Sequence, residues 1–187
     1  SDALYLITPD RFANGSTSND QFSDMREPLN RRSKGGRHGG DIRGIEERLD
    51  YISDLGFTAI WINPLLENDM PAYSYHGYAA TDFYHIDRRF GSNEEYRAFC
   101  EKAGEKGINI IMDMIVNHCE YEHWFFKEPP KKKRINFKGE FVPTSHRRNT
   151  VQDPYASDWD KKAFSDGWFV ETMPDLNQRH PLMADYL

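Results

Sequence analysis

Apolar and polar positions along this chain fall into blocks that read as strand, helix, strand, helix, strand. ALYLIT, residues 3–8, is a short β-compatible run that ends at Pro9, which suits the edge of a strand better than its middle. Ile42, Ile45, Leu49, Ile52 and Leu55 recur at helical spacing and stop at Gly56, so they predict one helix. FTAIWIN, residues 57–63, is apolar between Gly56 and Pro64 and predicts a buried strand. Ser92 and Glu95 form a capping-box pattern, after which Tyr96, Phe99, Cys100 and Ala103 share a helical face that ends at Gly107. INIIMDMIV, residues 108–116, predicts a third buried strand interrupted by Asp113. Residues 117–177 read as an irregular aromatic and charged excursion, and Leu182, Met183, Tyr186 and Leu187 begin a further helix.

Near-continuous apolar strands separated by amphipathic helices predict a parallel sheet covered by helices. Periodicity alone leaves a doubly wound sheet and a (β/α)8 barrel both open. In either, ligands gather in the loops after the carboxyl ends of strands. Those loops are the long ones here, after Thr8, Asn63 and Val116, whereas Gly56-Phe57 and Gly107-Ile108 join helix to strand almost directly. The asymmetry marks one functional face. No Gly-rich phosphate fingerprint follows any strand, which counts against a nucleotide fold.

With 187 residues, 38% hydrophobic and 14% aromatic, the chain can bury a sizeable core. Its net charge of −6 offers no broad attraction to phosphate backbones, so nucleic acid is not expected as a partner. The exception is the basic run Lys131–Arg134 between Pro130 and Gly139, which reads as a solvated loop tip. No apolar stretch long enough for a membrane span occurs, so no membrane partner is expected. Cys100 and Cys119 form neither a metal spacing nor a disulfide framework, and Cys100 reads as a small core residue. Both ends read as cut, and a targeting segment upstream of this stretch remains compatible with it.

Two constellations carry candidate chemistry. Asp113, Asn117 and His118 surround the end of the third strand. A carboxylate in so apolar a run needs a charged or hydrogen-bonding partner, whether it serves function or only pins loops. The second set is Asn14, Ser16, Asn19 and Asp20 followed by Gly39-Gly40-Asp41. Closely spaced oxygen donors in a Gly-containing loop suit a hard cation such as calcium, and the same residues also suit a hydrogen-bonded turn. A zinc-type set of His118, His123 and Asp113 is a third possibility.

Four segments together resemble the α-amylase family of glycoside hydrolases, in its neopullulanase and cyclomaltodextrinase form. DMIVNH, residues 113–118, resembles the family's D-x-x-x-N-H motif at the third barrel strand, and GFTAIWINP resembles its second-strand motif. MPDLN, residues 173–177, is similar to the motif near the end of the inserted domain, and residues 75–92 match the loop after the second strand.

The resemblance implies the first three β/α units of a (β/α)8 TIM barrel, an α/β fold with an inserted domain B after the third strand. Residues 1–118 would be the barrel, 119–178 domain B, and 179–187 the start of the third barrel helix. Tyr78 would stack on a glucose ring, His76 and His118 would hydrogen-bond its hydroxyls, and Asp113 would hold the network by pairing with a downstream arginine. All four would meet at one end of the strands. A structural calcium is implied at Asn14, Asn19, Asp20 and Asp41, with Gly39 giving a carbonyl and Ser16 standing where relatives commonly carry another aspartate. The family's nucleophile and acid follow the fourth and fifth strands, so no catalytic residue is assigned among these motifs. The implied parent is a retaining hydrolase of α-1,4 and α-1,6 bonds in pullulan, starch or cyclodextrins, homodimeric and periplasmic or extracellular. Its partner is an α-glucan oligosaccharide or polysaccharide. A non-catalytic homologue that binds protein or glycan is the competing expectation.

Overall fold

A computed structural model describes residues 2–124 and 131–187. They form two compact units divided after Met114.

In the first unit, strands β1 (Leu4–Ile7), β2 (Ala59–Ile62) and β3 (Asn109–Met112) lie parallel in the order β1-β2-β3. Ile7 is in register with Ile62, and Ile62 with Met112, so the strand ends align at one rim. Side chains alternate across the sheet as strand geometry requires. Ile7, Ile60 and Ile62 enter the core with Tyr5, Ile110 and Met112 packed beside them, while Leu4, Leu6, Trp61 and Ile111 on the other face are exposed. The buried strands expected from the apolar runs are therefore covered on one face only.

Helices α1 (Pro9–Phe12), α2 (Ile42–Glu46), α3 (Leu49–Asp54) and α4 (Asn93–Glu105) complete the first unit. The single helix predicted over residues 42–55 is two. The Arg48 amide bonds to the Ile45 carbonyl at 2.9 Å, a tightened turn, and Arg48 leaves helical geometry at φ −112°, ψ 10°. Ile42, Ile45, Leu49 and Ile52 stay buried across the break, whereas Leu55 is exposed. The capping box forms as expected: Ser92 Oγ accepts from the Glu95 amide and the Glu95 carboxylate accepts from the Ser92 amide. Phe99 and Ala103 then face the core, with Tyr96 and Cys100 partly buried against it.

The third strand stops four residues short of the apolar run that predicts it. The Asp113 amide makes the last rung, to the Ile62 carbonyl at 3.1 Å. Beyond it the neighbouring strand has given way to Asn63-Pro64, and a proline nitrogen has no proton to continue a ladder.

The long loops of this unit are held by buried charge. Arg89 grips Asp87 through two bonds of 2.9 and 2.8 Å, and also donates to the carbonyls of Glu27 and Asn68. Arg37 is fully buried, donates to Ser74 Oγ at 3.2 Å and lies over the Phe90 ring. Burial alone would raise the Asp87 carboxyl, but its bonds to Arg89 and the charges of Arg89 and Arg37 hold it below its ordinary value.

The second unit holds short helices α5 (Lys131–Arg134), α6 (Asn149–Gln152), α7 (Asp158–Ser165) and α8 (Pro181–Ala184). Lys131–Arg134, expected as a loop tip, is one helical turn; Pro129 and Pro130 lie outside the described residues. Its core gathers Cys119, Ile135, Trp168, Met173, Leu176 and Met183. MPDLN pairs with the segment after the third strand: the Leu176 amide bonds to the Asn117 carbonyl at 2.9 Å, and His118 bridges Asp175.

Asp87→Asn takes from buried Arg89 its hydrogen-bonded counter-charge, leaving Arg37 with Asp10 and Glu27, and should cost about 3–5 kcal/mol in urea denaturation. The pH dependence follows from the lowered carboxyl. Its contribution is complete above the ordinary value of 3.8 and is lost as pH falls through the depressed folded value, so the substitution should flatten the acid limb of the stability curve.

Candidate functional site

Pro64 ends β2, and the loop after it returns to the same rim at His76-Gly77-Tyr78. Ser74–His76 is one 3-10 turn, closed by the Gly77 amide on the Ser74 carbonyl at 3.3 Å. Gly77 sits at φ +80°, and a Cβ there would run into the Pro64 carbonyl oxygen. Only glycine allows this approach, which fixes His76 and Tyr78 beside the exit of β2.

Tyr78 Oη donates to Asp113 Oδ2 at 3.0 Å, joining the loop after β2 to the residue after β3. The Tyr78 amide donates to His76 Nδ1 at 2.9 Å, which places the proton of the neutral imidazole on Nε2. The two rings lie 5.8 Å apart at 36°. Burial and then the Asp113 carboxylate push the Tyr78 phenol above its ordinary value. The group is therefore a neutral aromatic face with a fixed hydroxyl, a polarised imidazole and a half-buried carboxylate. Beside it the Arg11 guanidinium covers the Tyr75 ring at 4.0 Å.

His76, Tyr78 and Asp113 are thus brought together as expected. Asp113 has Tyr78 as its hydrogen-bond partner. His118 belongs to the second unit, where its ring stacks on Phe169 at 5.8 Å and 13° and its Nδ1 is 3.4 Å from Asn117 Nδ2. The zinc-type trio does not form: among the described residues no three His, Cys, Asp or Glu side chains gather closely enough. His123 is buried, with Nε2 3.2 Å from Tyr186 Oη. Burial raises the thiols of Cys119 and Cys100, as inert core positions require.

The six cation candidates converge within the first unit. Asp41 caps α2 through Gly44, and its two oxygens also accept from the amides of Gly15 and Ser16 at 2.9 Å. Asn14 Nδ2 is 2.6 Å from Asp20 Oδ1, and Gly39, at φ +87°, lies so close that a Cβ would strike both side chains. The Asn19 carboxamide lies 3.2 Å from Asp41 Oδ2 and against the Ser16 carbonyl, so either its nitrogen donates to both or its oxygen shares a cation with them. Ser16 Oγ turns to Ser18 at 2.7 Å, and Arg31 stands 3.5 Å from Asp20. Two carboxylates with amide and backbone oxygens around one glycine suit calcium in charge and hardness.

Residues 6–187 match the model of the α-amylase catalytic domain. The chain belongs to the α-amylase family. The (β/α)8-barrel glycoside-hydrolase fold comes with that membership, and the three parallel strands fit it. A β/α-amylase of Paenibacillus polymyxa is 40% identical over 189 residues, covering 99% of this chain and 15% of that protein. A cyclomaltodextrinase of Thermoanaerobacter pseudethanolicus is 32% identical over 98% of this chain and 30% of its own length. The crystal structure of an Anoxybacillus α-amylase superposes with a TM-score of 0.80 at 30% identity, over 99% of this chain and 36% of that one. The chain therefore spans less than a third of the length of either relative.

Sequence reasoning passed over Glu27, Asp87 and Arg89, whose burial orders the loops around the site. Asp87 and Arg89 stand inside the matched motif of residues 75–92, which was the available signal.

Replacing Asp113 with Asn removes the anionic acceptor, so the Tyr78 phenol should fall part of the way back toward its ordinary 10.0 while its burial remains. An alkaline titration of the Tyr78 ring followed by NMR measures this.

Proposed function

We propose that the parent of this chain is a retaining α-glucan hydrolase of α-1,4 and α-1,6 bonds and that His76, Tyr78 and Asp113 bind a glucose unit beside the bond to be broken. The observation that carries the reading is the Tyr78–Asp113 bond of 3.0 Å, with His76 pinned to the same turn. An aromatic face packs well on the apolar C–H face of a sugar, and Nε2–H and the carboxylate suit its hydroxyls. Membership of the family and relatives named amylase and cyclomaltodextrinase support the substrate class. A downstream arginine pairs with Asp113 in this reading. The nucleophile and acid that divide glycosidic cleavage into two steps are carried by other motifs of the parent. Residues 119–178 are the inserted domain B, which the separate compactness of the second unit supports. A polymeric substrate is met outside the cytoplasm, which points to a periplasmic or extracellular parent.

In the parent, Tyr78→Ala should lower kcat/KM on maltoheptaose about a hundredfold and Tyr78→Phe much less, since the ring supplies the stacking. This chain alone should release no reducing sugar from pullulan; release by a preparation freed of contaminating enzymes would overturn the reading.

Calcium is the second part of the proposal, held by Asn14, Asn19, Asp20, Asp41 and the Gly39 carbonyl, with Ser16 contributing its carbonyl. It would fasten the loop after β1 and take no part in bond cleavage. Added calcium should raise the melting temperature, and Asp20→Asn should abolish most of the rise. A melting curve indifferent to calcium would leave the loop as a hydrogen-bonded turn.

A further inference from the structure

The 3-10 turn that carries His76 is preceded by its capping residue Tyr73, whose environment the site described above does not use. Tyr73 adopts φ +60°, a left-handed conformation unusual for an aromatic residue, and the residue is 60% exposed. Such strain persists only where the surroundings enforce it. Here Glu27 enforces it: buried, it accepts from the Tyr73 amide at 3.2 Å and from the Ser74 amide at 2.6 Å. The arrangement holds an exposed ring out over a cleft of about 280 Å³.

The floor of that cleft fits the ring. Gly35 lies beneath it, and a Cβ at that position would collide with the ring edge. Exposed Asn30 and Ser33 border the opening with a carboxamide and a hydroxyl, and Pro71 forms a neighbouring edge. Among the described residues no cationic side chain lines the cleft, so phosphate and carboxylate ligands lack a counter-charge. The lining carboxylate, Glu27, is occupied by two backbone N–H groups. What remains is a flat apolar face beside neutral hydrogen-bonding groups, the composition that a hexose ring matches.

We propose that Tyr73 and the cleft under it bind a further glucose unit of the same α-glucan chain that His76 and Tyr78 hold. The inference rests on the α-glucan reading and extends it along the substrate. Tyr73 caps the 3-10 turn Ser74–His76 and Tyr78 follows it past Gly77, so the two rings flank one turn whose three residues rise roughly 6 Å. A chain of several glucose units engages both, and a disaccharide engages the inner one. Tyr73 thereby sets a preference for longer substrates.

Titration of this chain, ring-labelled at tyrosine, with maltose and with maltoheptaose tests the proposal by NMR. Maltoheptaose should move the Tyr73 and Tyr78 signals together, and maltose the Tyr78 signal alone. Tyr73→Gly removes the ring and suits the left-handed backbone; it should weaken maltoheptaose binding about tenfold and leave maltose unchanged. Tyr73→Phe should stay within about twofold of the unmodified chain, because the face and not the hydroxyl is used. If Tyr73→Gly binds maltoheptaose as tightly as the unmodified chain while Tyr78→Ala does not, the cleft binds no sugar and the α-glucan reading stands. If neither sugar moves either ring, the α-glucan reading itself falls and the inference with it.

Discussion

Arg89 and Asp87 face each other out of reach of water, and the loops after β1 and β2 are ordered around that fact. A buried ion pair is weak evidence of net stability, but the cost of leaving either member alone is large. The pair therefore works as a constraint. Its remaining hydrogen-bonding capacity is met by the Glu27 and Asn68 carbonyls and the Asn68 amide, so two segments distant in sequence must arrive together. Arg37 extends the same polar interior to Ser74, the first residue of the turn that ends in His76. The turn that carries His76 stands on charge and the sheet stands on hydrocarbon.

Those two supports meet at Asp113. Its backbone closes the ladder between β2 and β3, and its carboxylate receives the hydroxyl of Tyr78. The same residue is the end of the hydrophobic architecture and the start of the polar one, so the place of the strand end sets the place of the Tyr78 hydroxyl.

Much of the fold was legible in the sequence. The three strands, the capped helix that starts after Ser92 and the rim carrying the long loops follow from periodicity and capping chemistry, which are local. What was not legible depends on neighbours. The third strand ends at Met112 because the adjacent chain reaches Pro64, and the helix predicted over residues 42–55 breaks at Arg48 while its buried stripe continues. Periodicity records the stripe and is blind to the break. The gathering of Asn14, Asn19, Asp20 and Asp41 was visible in donor spacing, since those residues lie in one loop and the following helix cap. Asp87 and Arg89 resemble ordinary surface charges in a polar segment, and nothing local distinguishes them from the exposed Arg88 between them. Tyr73 was equally silent, because its meaning lies in a backbone angle imposed by Glu27.

The unequal connections at the two ends of the strands bear on how such a chain tolerates change in length. Gly56-Phe57 and Gly107-Ile108 leave no slack between helix and strand. One residue inserted near either would advance the following strand by one position and turn its core side chains to the exposed face. At the opposite ends, closing a longer loop costs only a logarithmically growing entropy, about 0.6 kcal/mol for each doubling. Insertions and deletions among descendants of this sequence are therefore channelled to the rim that carries His76, Tyr78 and Asp113, where each one reshapes the loops and leaves the strand register intact.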